Sequence, residues 1–173
     1  GIAAGAKQAG GQTAIVGPDA QLSAMAAAMG VKAPTPAPWF DMLCSLLESL
    51  PQAAVVVDMT VPGIYLQYVN GAAERLTGYT KADAVGRNCR FMQGNETEAS
   101  SVRSIVSAIR QAKAATVRVT NYKKNGQPFG NVLTVHPVND SAGTYRYSIG
   151  VQSDAANEAA EGAALAKLRS VLP

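Results

Sequence analysis

Three segments in the second half of the chain, 116–122, 130–138 and 144–152, alternate in side-chain character with a period of two. Val117 and Val119 set the pattern in the first, and Val132, Thr134 and His136 carry it through the second. A period of two places successive side chains on opposite faces of a sheet, so these segments are predicted strands. Asn125-Gly126 separates the first pair and the stretch from Asp140 to Gly143 the second, both of them hairpin signals that make the strands antiparallel neighbours. Earlier, 54–57 and 65–69 form a further predicted hairpin around Pro62 and Gly63.

Between these groups the period changes. Short helices are expected at 72–76 and 81–85, on either side of Gly78, with a brief helical turn at 88–92. A longer helix is expected over 97–113, with Val102, Ile105, Val106 and Ile109 on one face, Glu98 early, and Arg110 and Lys113 late, as the helix dipole favours. The order implies an α+β fold, a five-stranded antiparallel sheet with helices gathered on one face and a pocket between them. Outside this core, Phe40, Leu43, Leu47 and Leu50 mark a flanking helix that Pro51 stops, and Leu165, Leu168 and Leu172 mark another over 155–172. The division expected is therefore an Ala/Gly/Pro-rich flank over 1–38, in which Asp19 caps a short helix, a flanking helix over 39–51, a core over 52–154 and a C-terminal helix over 155–173.

Composition removes several classes of function. At 173 residues the chain holds one domain with short appended segments, and starting at Gly1 and ending at Pro173 it reads as a piece of a larger protein. Pro51, Asp58, Pro62 and Gly63 break the most apolar region well short of the ~20 residues that cross a bilayer. The net charge of +3 is spread along the chain, which argues against nucleic acid as a main partner. Cys44 and Cys89 do not make a disulfide framework, so the expected setting is intracellular and reducing.

The chemically informative stretch is Gly86-Arg87-Asn88-Cys89-Arg90-Phe91-Met92-Gln93-Gly94, in which residues 88–93 pack a thiol, a cation and two carboxamides into a helical turn or so. As an ordinary nucleophile Cys89 needs a base, and the one histidine, His136, comes without an evident third orienting group. Two distant cysteines and one histidine do not compose a zinc site either. A buried, inert Cys89 is the plain alternative. Against it stand Asn121, Asn131 and Gln152, carboxamides near strand ends beside apolar positions. Such groups both donate and accept, which suits the edge of a flavin or purine ring.

GRNCRFMQG resembles the signature of LOV domains, the flavin-binding photosensory branch of the PAS superfamily, with Met92 where that family more often has Leu. The resemblance runs from about Val55 to Asp154 and takes in VNGAAERLTGY, TNYKKNGQPFGN and YSIGVQ. It implies a PAS/LOV fold and a blue-light receptor in which the Cys89 sulfur bonds reversibly to flavin carbon C4a after excitation while N5 is protonated. The excited cofactor then supplies the reactivity, and no resident base is needed. By the same resemblance Asn121 and Asn131 bind the pyrimidine edge, Gln152 lies near N5 and relays the signal, and Asn88 and Gln93 face the ribityl chain. Arg90 meets the phosphate, and Val55, Val57, Leu66 and Leu133 wall the ring.

Many LOV domains carry a second phosphate-binding arginine where this chain has Val106, and Arg103 and Arg110 are the candidates to replace it. The segment after Gln93 lacks the insertion of FAD-binding relatives, so FMN is expected ahead of FAD, with riboflavin a competitor if the phosphate is weakly held. Ser148 and Gly130 stand where an aromatic residue and Trp are often found. The implied partners are the flavin, a second copy of the chain through the flanking helices and a downstream effector, with the isolated module not an enzyme. A substrate-converting flavoenzyme and a light-insensitive PAS sensor of a ligand or redox state are the rival expectations.

Overall fold

The computed structural model describes residues 39–139 and 142–157. Helix α1, Trp39–Glu48, leads into strand β1, Ala53–Asp58, and then β2, Leu66–Val69. Two short helices follow, α2 at Gly71–Thr77 and α3 at Lys81–Ala84, then a 3-10 turn at Cys89–Met92 and the longer helix α4, Ala99–Arg110. Strands β3, Ala115–Tyr122, β4, Pro128–Asn139, and β5, Tyr145–Asp154, complete the sheet, and a 3-10 turn at Ala155–Asn157 closes the described chain. The sheet order is β2-β1-β5-β4-β3 and every neighbouring pair is antiparallel. This is the expected five-stranded α+β architecture.

The two faces of the sheet do different work. On the outer face, Ala54 and Val56 of β1, Val138 of β4 and Tyr147, Ile149 and Val151 of β5 pack against Leu43, Leu46, Leu47 and Leu50. Trp39 and Phe40 both stack on Tyr147, with centroids 5.2 and 5.3 Å away. Leu43, Leu46 and Leu47 are no more than 2% exposed, and each such burial contributes roughly 1.5–3 kcal/mol. The apolar stripe of the N-terminal flank is thus spent on the domain's own sheet. The opposite face carries α2, α3 and α4 through the clusters around Leu66 and Ile105.

Asn70 joins α1 to the rest. It is fully buried; its Oδ1 accepts from Ala54 N and Ala73 N, both at 2.9 Å, and its Nδ2 donates to Leu47 O at 2.8 Å and Gln52 O at 2.9 Å. Four backbone groups from α1, the link after it, β1 and α2 therefore converge on one side chain, which also caps α2. Nearby, the Glu48 carboxylate accepts from Tyr68 Oη, from Lys81 Nζ at 2.9 Å and from Gly71 N at 3.0 Å.

Boundaries moved where side chains found other partners. The helix expected over 97–113 begins at Ala99, because Thr97 and Glu98 are used as anchors to β3. Thr97 Oγ1 donates to Thr120 O at 2.6 Å, and Glu98 accepts from Thr120 N at 2.7 Å and Thr120 Oγ1 at 2.9 Å. It ends early because Ala112 turns left-handed, φ 51°, returning Lys113 N to Ala108 O. The strand expected from Tyr65 starts one residue later, Tyr65 making only a single bridge to Asn88. The helix expected over 155–172 opens as the 3-10 turn, and its remainder, like the helix expected after Asp19, lies outside the described residues.

Asn70→Ala strands buried donors and acceptors, each costing about 1–3 kcal/mol, so a loss of at least ~3 kcal/mol is expected in urea unfolding. The Glu48 carboxyl is held down to about 2, first by the Tyr68 hydrogen bond and then by Lys81. Its folded value lies below the ordinary 4.5, so the stability it lends is present above that pH and drains away as pH falls towards 2. Tyr68→Phe is expected to flatten this acid limb in a series of melts from pH 6 to pH 2.5.

Candidate functional site

The inner face of the sheet and the inner face of α4 enclose a cavity of about 990 Å³, counting its open mouth. Its floor is Val55 and Val57 of β1, Val119 of β3, Leu133 and Val135 of β4 and Gly150 of β5, and its roof is Val102, Ile105, Val106 and Ile109 of α4. The strand alternation is directly visible here, since 131, 133 and 135 of β4 and 148, 150 and 152 of β5 all line the cavity. Gly150 lets the side chains of Val55 and Leu133 close over the floor. A Cβ there would stand 3.0 Å from Val55 Cγ2 and 3.4 Å from Leu133 Cδ1.

Three buried carboxamides meet on one side. Asn131 Nδ2 donates to Asn121 Oδ1 at 2.8 Å and to Gln152 Oε1 at 2.9 Å, and Asn121 Nδ2 donates to Met92 O at 3.3 Å. The three residues are between 1% and 6% exposed. Asn131 Oδ1 is buried with no hydrogen-bond partner among the described residues. A buried acceptor without a donor is costly, so this atom is suited to a ligand N–H. The register explains the grouping: Asn131 and Leu133 sit two apart on β4, Gln152 pairs with Leu133, and Asn121 lies opposite Phe129 in the adjoining β3–β4 ladder.

Cys89 enters from the 3-10 turn. Asn88 caps that turn, its Oδ1 accepting from Arg90 N at 3.0 Å, while its Nδ2 holds Gly63 O at 2.7 Å and Ile64 O at 3.3 Å. Phe91 is wedged between Tyr79, at 4.7 Å between centroids, and the Arg87 guanidinium, 4.2 Å over its ring. The turn is thereby pinned from both sides, and Cys89 lines the cavity. Desolvation pushes its thiol up to about 11, so it is protonated at neutral pH. His136 cannot serve it, because on β4 it alternates away from the cavity-lining 131, 133 and 135. Among the described residues no cluster of potential ligands is built to hold a metal ion, and both cysteines are free.

At the mouth stand Arg90, Gln93 and Arg110, all exposed and all bordering the cavity. Two expected residues lie elsewhere. Leu66 is buried behind the wall with Val55, Val57 and Phe91, and it is not among the lining residues. Arg103 is not among the lining residues and borders instead an open groove along α4. Ser148, whose small side chain was expected to loosen the pocket, does line it, and among the lining residues that sequence reasoning missed are Ile64, Met92, Ser101, Val119, Val135 and Gly150. Val119 and Val135 were readable from the alternation, whereas Ile64 reaches the cavity from a turn with φ 53° that no periodicity announces.

A model of the PAS domain family matches residues 52–155. The chain belongs to the PAS domain family. Within that family it is similar to LOV domains. The LOV domain of the EL346 blue-light activated histidine kinase from Erythrobacter litoralis is 37% identical, with a TM-score of 0.59 covering 61% of this chain and 97% of that one. The Rhodobacter sphaeroides LOV protein is 29% identical with a TM-score of 0.70, over 76% of this chain and 78% of that one. A blue-light photoreceptor from Listeria innocua is 36% identical over 121 residues, 70% of this chain and 47% of that protein. The PAS domain described here thus lies on the LOV branch and spans about half or less of the length of the curated relatives it matches.

Because its thiol is held protonated, alkylation of Cys89 in this PAS domain at pH 8 is expected to run at least about tenfold slower than that of a free cysteine. The rate should climb steeply between pH 10 and 11 while the fold persists. Peptide-resolved mass spectrometry separates it from Cys44, whose thiol burial also pushes up to about 11. Fast modification at pH 7 would show a thiolate and return the site to ordinary nucleophilic catalysis.

Proposed function

We propose that this chain is a blue-light receiver that holds FMN in the cavity and uses Cys89 as the group that bonds to the ring after a photon is absorbed. The observation that carries the reading is the joint presence, in one apolar cavity, of a protonated thiol and the buried, partnerless Asn131 Oδ1. The flavin, when bound, absorbs blue light and for a short time becomes reactive towards a neighbouring thiol. Everything else falls to the protein.

The apolar floor formed by Val55, Val57, Leu133 and Gly150 receives a planar ring. Asn131 Oδ1 accepts a ring N–H, and Asn121 and Gln152 exchange their present bonds to Asn131 for bonds to the ring edge. Gln93 borders the polyol and Arg90 the phosphate at the open end. Asn88 contributes mainly by capping the turn, since both ends of its carboxamide are already committed. Cys89 brings both a sulfur and its own proton, which is why no base stands beside it.

Gln152 has the place from which a change at the ring reaches the flanks. It pairs with Ala53 at the start of β1, just after the link from α1, and lies two residues before the end of β5. Rotation of its carboxamide, as its bond to the ring changes, strains the edge where both flanks attach. On this reading the signal passes to an effector beyond the described residues, or to a second copy. One structural relative, the fungal photoreceptor Vivid, is described as a light-state dimer.

The test is illumination of the flavin-loaded protein. Blue light is expected to bleach the flavin absorption reversibly, and Cys89→Ala is expected to abolish the bleaching with flavin still bound. Absorption that stays constant under blue light would leave a light-insensitive PAS sensor. Hydrogen exchange compared in dark and light should differ across α1 and after Asp154; identical exchange there would remove the signalling half of the proposal.

A further inference from the structure

On the cavity side of β5 two polar residues bracket Gly150, Gln152 after it and Ser148 before it. Gln152 belongs to the carboxamide cluster, whereas Ser148 lies four residues away, about 13 Å at the usual strand rise, and makes none of the contacts proposed for the ring. Ser148 is 2% exposed and lines the cavity, with Val57 and Pro137 as its cross-strand partners. Beside it stands a second hydroxyl. The β4–β5 register shifts between Val138 and Asn139, so Tyr145 pairs with Asn139 and falls on the side of 131, 133 and 135. Tyr145 Oη is buried with no hydrogen-bond partner among the described residues. Burial raises the Tyr145 pKa and the Ser148 hydroxyl works against that rise, so the two groups are neighbours, short of a formed hydrogen bond. A buried hydroxyl without a partner is unfavourable until something supplies the missing bond.

We propose that Ser148, backed by Tyr145, is a polar subsite at the end of the cavity opposite the carboxamides, and that it recognises a hydroxyl group on the ring end remote from the pyrimidine edge, extending the ligand class from FMN to ring-hydroxylated flavins. This rests on the flavin reading above, in which Asn121, Asn131 and Gln152 take the pyrimidine edge and the rest of the ring runs over Gly150 towards Ser148. A serine hydroxyl has one donor and two acceptor positions, and a tyrosine hydroxyl has one donor. When Tyr145 donates to Ser148 Oγ, the serine proton is left to point into the cavity. When Ser148 donates to Tyr145 instead, its lone pairs face the ligand. The pair therefore meets a ligand hydroxyl as donor or as acceptor. A methyl group of similar size fills the same space and bonds to neither.

The experiment is a calorimetric titration of the flavin-free protein with riboflavin and, separately, with its analogue carrying a hydroxyl in place of the methyl at ring carbon 8, for the wild type, Ser148→Ala and Tyr145→Phe. The readout is the ratio of the two Kd values, riboflavin over analogue, in which a general change of the cavity cancels. Loss of one hydrogen bond is expected to lower that ratio about tenfold in Ser148→Ala, and about threefold in Tyr145→Phe, which removes the support and not the contact. A ratio left unchanged in Ser148→Ala, with both Kd values moving together, would mean a role in packing alone and would overturn the subsite. A ratio that falls in Ser148→Ala and is untouched in Tyr145→Phe would keep Ser148 as the recognising group and overturn the role of Tyr145. A wild type that binds riboflavin and rejects the analogue would overturn the subsite alone, whereas a wild type that binds neither would overturn the flavin reading and the subsite with it.

Discussion

Everything in this molecule depends on the alternation of side chains across three central strands. In β1, β5 and β4 one set of positions lines the cavity, represented by Val55, Gly150 and Leu133, and the other set faces the outer side, represented by Val56, Ile149 and Val138. A one-residue slip would exchange the sets, placing aromatic and branched side chains in the cavity and the carboxamides against α1. Register is therefore fixed by two demands at once. The outer face must meet the leucines of α1, and the inner face must leave a space.

That arrangement makes α1 part of the domain. Its leucines bury the apolar outer face of the sheet, and Asn70 ties its last turn to β1 and α2 through four hydrogen bonds. The same β1 supplies Val55 and Val57 to the cavity floor. The floor and the seat of α1 are opposite faces of one strand, six residues long and buried throughout. A displacement on one face is felt on the other because a packed strand has little room to deform.

Much of this was legible in the sequence, for identifiable reasons. The strands of the second half declared themselves by alternation and by Asn125-Gly126, and α1 by the spacing of its leucines before Pro51. The carboxamides at 121, 131 and 152 were visible as residues, and the sheet register is what brings them to one place. What was not legible came from groups acting out of pattern. Glu98 and Thr97 leave the helix to hold β3, Ile64 reaches the cavity through a left-handed turn, and Gly150 shapes the floor by lacking a side chain. Leu66 and Arg103 have the right residue type one layer away from the cavity, a distinction that depends on depth and not on periodicity.

The burial of Cys89 shows how one physical fact changes meaning with its chemistry. For a hydrolytic nucleophile, a thiol pushed up to about 11 is a handicap, since at neutral pH thiolate is on the order of a hundredfold scarcer than at the ordinary value near 9. Such enzymes offset it with a histidine, and here His136 faces the other way. On the proposed reading the handicap becomes a safeguard. A protonated thiol in an apolar wall is inert towards an unexcited ligand and towards passing electrophiles, yet it carries both the sulfur and the proton that a reactive ring requires. Selectivity then resides in when the ligand becomes reactive, and the protein's task reduces to holding Cys89 still, which the packing of Phe91 between Tyr79 and Arg87 and the cap by Asn88 accomplish.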